Sequence, residues 1–152
     1  MGITQVASVI LSAPESIVNN ELREFDEATF PVGSVSHQGD LILVRITTLP
    51  SSYTKADSRQ LAIGTTQGAR HVLLPGPDVM VCDSANVVMA IAKVCRGVQL
   101  SEDLIGPVIS SKGLAEIDHP EHGNQRFVGK MTIACVYQRN LDSEERAVRT
   151  LD

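Results

Sequence analysis

Two of the chain's four histidines stand three residues apart in Asp118-His119-Pro120-Glu121-His122-Gly123, flanked by two carboxylates. Imidazole exchanges protons near neutral pH, and in its neutral form it is a common metal ligand. Pro120 holds its own φ near about −65° and steers His119 away from helix. The pair therefore belongs on a turn, not on the i,i+4 helical face of an HExxH zinc enzyme. A turn can aim both rings at one point, with Asp118 or Glu121 accepting from a ring N–H to set its tautomer.

Three readings follow. With a third imidazole the pair suits zinc or another divalent transition metal with an open coordination position. Without metal, His119 and His122 suit general acid and base on a phosphoester, with an arginine holding the anion. The third reading is a plain turn whose polar groups bond to backbone. Arg70-His71 supplies the candidate opposite wall, His71 as third imidazole and Arg70 as anion clamp. Adjacent strand residues point to opposite faces, so if His71 lines the site, Arg70 needs a bulge or sits on the rim. His37, in His37-Gln38-Gly39-Asp40, reads as a turn residue.

Composition narrows the partners. A net charge of −5 with three Phe, two Tyr and no Trp argues against a general nucleic-acid binder, which needs basic grooves and stacking aromatics. A small phosphorylated ligand needs only a local positive site. Cys82, Cys95 and Cys135 lie far apart without a CxxC pair, so they read as small hydrophobes in a reducing compartment. Val6 to Leu11 is too short for a signal core, Val6 stands where a myristoylation motif wants Ser or Thr, and no stretch is long enough to span a membrane. A cytoplasmic protein is expected.

The elements that must position these residues are mostly strands. A chain of 152 residues is the size of one domain, and folding it should bury roughly two-thirds of its unfolded surface. Leu41 to Ile46 and Met131 to Tyr137 read as central strands, the second with Met131, Ile133, Cys135 and Tyr137 on one face. Short strands are expected at residues 1–13, Gln60 to Gly64, Arg70 to Leu74, Val79 to Cys82 and Val98 to Leu100, with an edge strand at Ile105 to Ile109, where Pro107 removes a donor. Gly64 and Gly68 bracket a hairpin or bulge, Glu21 to Ala28 is a helical turn or an irregular acidic segment, and Ser51 to Arg59 is a polar loop. One helix is expected over residues 85–96, capped by Asp83 or Ser84, with Val88, Ile91, Ala92 and Cys95 on its apolar face and Gly97 past its end. Residues 142–152 form a charged tail that extends as a frayed helix. The sum is a mainly β single domain, a small β-barrel or two-sheet roll with one helix, with a four- to six-strand α+β sheet as competitor.

The succession Gln60-Leu61-Ala62…Gly68-Ala69-Arg70-His71-Val72, then His119-Pro120-Glu121-His122-Gly123, then Val136-Tyr137-Gln138-Arg139…Asp142…Glu144-Glu145-Arg146 resembles a family of small uncharacterised bacterial proteins. The similarity runs over about residues 37–152 and rests on the combined order of motifs. It implies that His71, His119 and His122 form one recurring set and draws in Tyr137, Gln138 and Arg139. Members carry a second histidine two positions before the one matching His71, where this chain has Ala69. The histidine spacing is also loosely similar to that of cupins, without their downstream motif.

The expected function is a histidine-centred pocket that binds, and hydrolyses, a nucleotide or other phosphate-bearing small molecule. His119, His122 and His71 would be its catalytic members, and Arg70, Glu121, Tyr137 and Arg139 its ligand-binding ones. No cofactor is required in that reading. The alternatives are a non-catalytic interaction module that forms a homo-oligomer through strand edges, and a cupin-like enzyme with a divalent metal on His71, His119 and His122.

Overall fold

A computed structural model describes residues 22–62, 70–141 and 147–149, with residues 62, 139–141 and 147–149 described by backbone only. A five-stranded sheet runs in the order β1 (Arg23–Asp26), β10 (Gln125–Val128), β9 (Leu114–Asp118), β6 (His71–Leu73), β5 (Gln60–Ala62). A six-stranded sheet runs β2 (Val35–Gln38), β3 (Leu41–Ile46), β11 (Met131–Tyr137), β8 (Ile105–Ser111), β7 (Asp78–Cys82), β4 (Tyr53–Lys55). A separate pair joins β12 (Arg139–Leu141) to β13 (Ala147–Arg149). Among the described residues neither sheet closes on itself, so the expected mainly β architecture takes the two-sheet form and not the barrel.

The two strands with the clearest apolar patterns, β3 and β11, are antiparallel neighbours in the middle of the larger sheet. Their alternation is used on both faces. Leu41, Leu43, Ile133, Cys135 and Tyr137 point into the layer between the sheets, against Leu73, Ile117 and Phe127. Ile42, Val44, Ile46, Ala134 and Val136 point the other way, under the helix α1 (Ser84–Val94). Each such buried Leu or Ile contributes about 1.5–3 kcal/mol. Phe25, Phe30 and Phe127 close the inter-sheet layer at one end, with ring centroids 5.2, 5.3 and 5.0 Å apart.

Helix α1 starts where expected: the Asp83 carboxylate accepts from the N–H of Ala85 at 3.0 Å. It ends near the expected place, with Gly97 in a positive-φ conformation three residues beyond. Its buried positions are Val87, Ile91 and Cys95, so the apolar face is centred on an i,i+4 row that includes Val87 in place of Ala92.

Several expectations are corrected. Pro107 lies in an interior strand, not at an edge. The β8–β11 register shifts between Ala134 and Val136, and β7 pairs only up to Met80 opposite Val108, so the proline falls at a bulge where no ladder donor is needed. The same bulge needs a glycine, because a Cβ on Gly106 would sit 2.9 Å from the Tyr137 hydroxyl. Val98 to Leu100 is not a strand and leads into a short 3₁₀ turn at Glu102–Leu104. The loop expected at 51–59 contains the edge strand β4, and the acidic segment near residue 24 is strand β1, parallel to β10. His37 and Gln38 belong to strand β2, with the turn confined to Gly39 and Asp40. In the tail, residues 147–149 are strand and not helix; the expected strand at 1–13, the connection 63–69 and the rest of the tail lie outside the described residues.

Candidate histidine site

Strand β9 runs to Asp118, and the chain reverses over the next six residues before β10. The reversal is held by a histidine side chain. His119 Nδ1 lies 3.1 Å from the backbone nitrogens of both Glu121 and His122, whose N–H groups donate to it. This is the bonding an Asn or Asp gives at an Asx turn, here supplied by imidazole. Gly123 leaves the turn with φ +73°, in the region glycine favours.

The second histidine arrives across the sheet. Strand β6 pairs with β9 in the register Val72 opposite Asp118 and Leu73 opposite Ile117. Carried one position further, that register sets His71 opposite His119. Their ring centroids are 4.3 Å apart with planes at 42°. His122, three residues on, packs against the His119 ring at 4.4 Å and 34°. Three imidazoles thus form a row from the core outwards: His71 is 0% exposed, His119 2%, and His122 is half-buried.

The inner end of the row is held by β2. Gln38, 1% exposed, donates through Nε2 to the carbonyls of Ile117 at 3.0 Å and Gly123 at 2.8 Å, and its Oε1 lies 2.9 Å from His71 Nδ1. Two residues earlier on the same face, Ser36 donates to Gln125 Oε1 at 2.6 Å, and Gln125 donates to the His37 carbonyl. A strip of polar side chains therefore bridges the two sheets at this end. Burying such groups is tolerated because their donors and acceptors are matched.

The structure brings together His71, His119 and His122, the three expected catalytic members. Of the other expected members, Arg70 is exposed while its neighbour His71 is buried, as adjacent strand residues on opposite faces are. The Glu121 side chain is exposed and its backbone N–H is what serves His119. Tyr137 is a core residue whose hydroxyl donates to the Leu61 carbonyl at 3.0 Å. The Arg139 side chain lies outside the described residues. At His71 Nδ1 the orienting group is the Gln38 amide oxygen in place of a carboxylate. Gln38, Ser36 and Gln125 were not expected in the site, and their only signal in the sequence is polar residues spaced two apart beside a β-rich run.

Among the described residues no group of three His, Cys, Asp or Glu side chains is placed to hold a metal ion. At His119 the geometry explains this: Nδ1 receives two backbone N–H groups, so the neutral ring carries its hydrogen on Nε2 and offers no lone pair there to a metal. The three thiols are free; burial pushes all three above the ordinary cysteine range, Cys135 furthest, so they are poor nucleophiles. A separate cleft of about 410 Å³ lies between residues 47–51 and helix α1, lined by Thr47, Thr48, Asn86, Met89 and Lys93. Among the described residues no helix is long and apolar enough to cross a membrane. No family model, no curated protein and no solved structure matches this chain, so the resemblance noted above stands on its motif order alone.

Proposed function

We propose that the histidine row is a metal-free acid–base site that binds and hydrolyses a phosphate-bearing small molecule such as a nucleotide. The observation that carries the reading is the convergence of three of the chain's four histidines, two from one loop and His71 from a distant strand, into one ring-to-ring row with a half-buried end. His122 is the member that meets the ligand. It takes a proton from the water attacking phosphorus and returns that proton to the leaving oxygen, so the bond to water forms as the ester bond breaks. His119 and His71 stand behind it, and the exposed Arg70, with Arg139, supplies the positive charge that attracts the anion. The N–H groups of Glu121 and His122 are already given to His119, so these two are not available to cradle a phosphate.

Thermal shift and phosphate release, measured with nucleotides and with inorganic phosphate, test this. The expected result is a nucleotide-dependent rise in Tm and turnover, both lost in His122→Ala without a fall in the unliganded Tm. No shift in the wild type, or a shift and turnover retained in the variant, overturns it.

A second reading, a non-catalytic interaction module, is favoured by strand β4, whose three residues are all exposed at the outer edge of the six-stranded sheet. Among the described residues no strand lies on the outer side of β4, and an open edge is a template for a strand from another chain. Light scattering distinguishes the two: an oligomer that dissociates when Thr54 is replaced by Pro supports the module, and a strict monomer counts against it.

A further inference from the structure

We infer that Gln38 is the positioning residue of the histidine row, fixing His71 in the Nδ1–H tautomer while the loop backbone fixes the neighbouring His119 in the opposite, Nε2–H tautomer. The amide of Gln38 can be oriented in one way only. Its Nε2 is 3.0 Å from the Ile117 carbonyl and 2.8 Å from the Gly123 carbonyl, and carbonyl oxygens only accept. The NH₂ group must therefore sit there, which leaves Oε1 facing His71 Nδ1 at 2.9 Å. An amide oxygen also only accepts, so His71 Nδ1 carries the hydrogen and, in the neutral ring, Nε2 does not. For His119 the logic inverts. Nδ1 receives two backbone N–H groups, so it carries no hydrogen and the neutral ring is protonated at Nε2. Adding a proton at His119 Nδ1 would set a third N–H against those two donors and release the turn.

Two rings 4.3 Å apart thus carry their hydrogens on opposite nitrogens, His71 on Nδ1 and His119 on Nε2. Gln38 has a second effect. The carbonyls it clasps, at 117 and 123, stand on either side of the loop, so one side chain sets both the neck of the loop and the direction of the row. The tautomers stand independently of the proposed function; their use in proton transfer rests on it.

Long-range ¹H–¹⁵N spectra of the imidazoles in the full, ligand-free chain test the inference. The expected pattern is pyrrole-type nitrogen at His71 Nδ1 and His119 Nε2, and pyridine-type at the other position of each. Gln38→Glu keeps an acceptor for His71 but removes both N–H groups, so the His71 pattern should persist while amide exchange across residues 118–123 quickens. Gln38→Met removes the acceptor, and His71 should then average between tautomers. A pyridine-type His71 Nδ1 in the wild type overturns the inference, and so does an unchanged His71 pattern in Gln38→Met. The wild-type spectrum decides the matter even if a variant fails to fold. Tautomers as expected with no phosphate ligand bound would overturn only the proposed function.

Discussion

The six-stranded sheet is covered on both faces, and the two covers are chemically unlike. Under helix α1 the contact is wholly apolar: Val87, Ile91 and Cys95 meet Ile42, Val44, Ile46, Val108, Ala134 and Val136. Towards the five-stranded sheet the layer begins in the same way, with Leu43, Ile117, Ile133 and Phe127. It then changes along each strand. Two residues before Phe127 stands Gln125, and two residues before Leu73 stands His71, equally buried and on the same face. Apolar contacts are non-directional and tolerate small changes of shape. Hydrogen-bonded groups taken out of water do not tolerate the loss of a partner. One face therefore supplies cohesion, and the other supplies a fixed geometry at one end of the molecule.

That contrast can be broken by experiment. Gln38→Met, close in shape, leaves two carbonyls and the His71 N–H without their partner; a loss of about 3 kcal/mol in denaturant unfolding is expected. A loss below about 1 kcal/mol would erase the distinction between the two layers. His119→Ala should cost about 2 kcal/mol, because two loop N–H groups lose their acceptor. His119→Asn, which can accept from the same two groups, should recover most of that stability while removing the imidazole. On the helix side, Ile91→Val should cost only about 1 kcal/mol despite complete burial.

The smallest effect concerns the solvent face of the five-stranded sheet. There Glu116 accepts from Asn124 at 2.6 Å and from Arg126 at 2.9 Å, which holds its carboxyl below the ordinary glutamate range. A lowered carboxyl affinity in the folded state means stability that is present above the unfolded value and lost as pH falls through the folded one. Glu116→Gln should therefore cost less than about 1 kcal/mol at pH 7. The gap to wild type should narrow in acid as Glu116 itself becomes protonated. A gap that widens in acid would mean the sign is wrong.

The same contrast explains what was legible in the sequence. Strands β3 and β11 and helix α1 bury apolar residues at regular spacing, so periodicity finds all three, and for β11 also the face it uses, while the helix face is off by one position. Strands β2 and β10 do not obey that signal. The inward residues of β2 are Ser36 and Gln38, and the first inward residue of β10 is Gln125, so both segments look like loops. The histidines were visible by residue type and by the proline between them, but the group that orients His71 was hidden in a strand read as a turn. His119 was expected to exchange protons; its Nδ1 instead builds the loop, a role that no spacing reveals. Local rules fail here where buried polar groups replace apolar ones, which is where a site is expected.

The place of β11 in the sheet has a further consequence, for the order in which the molecule can assemble. Its partners β3 and β8 are made well before it, β3 about ninety residues earlier, yet β11 alone joins them. Until residues 131–137 arrive, the larger sheet exists at most as two pieces, β2–β3 and β8–β7–β4, each showing an apolar edge. Pairings this distant in sequence close slowly. An emerging or refolding chain therefore carries its most aggregation-prone surfaces through most of the process. The last central strand to be made is the one that seals the sheet.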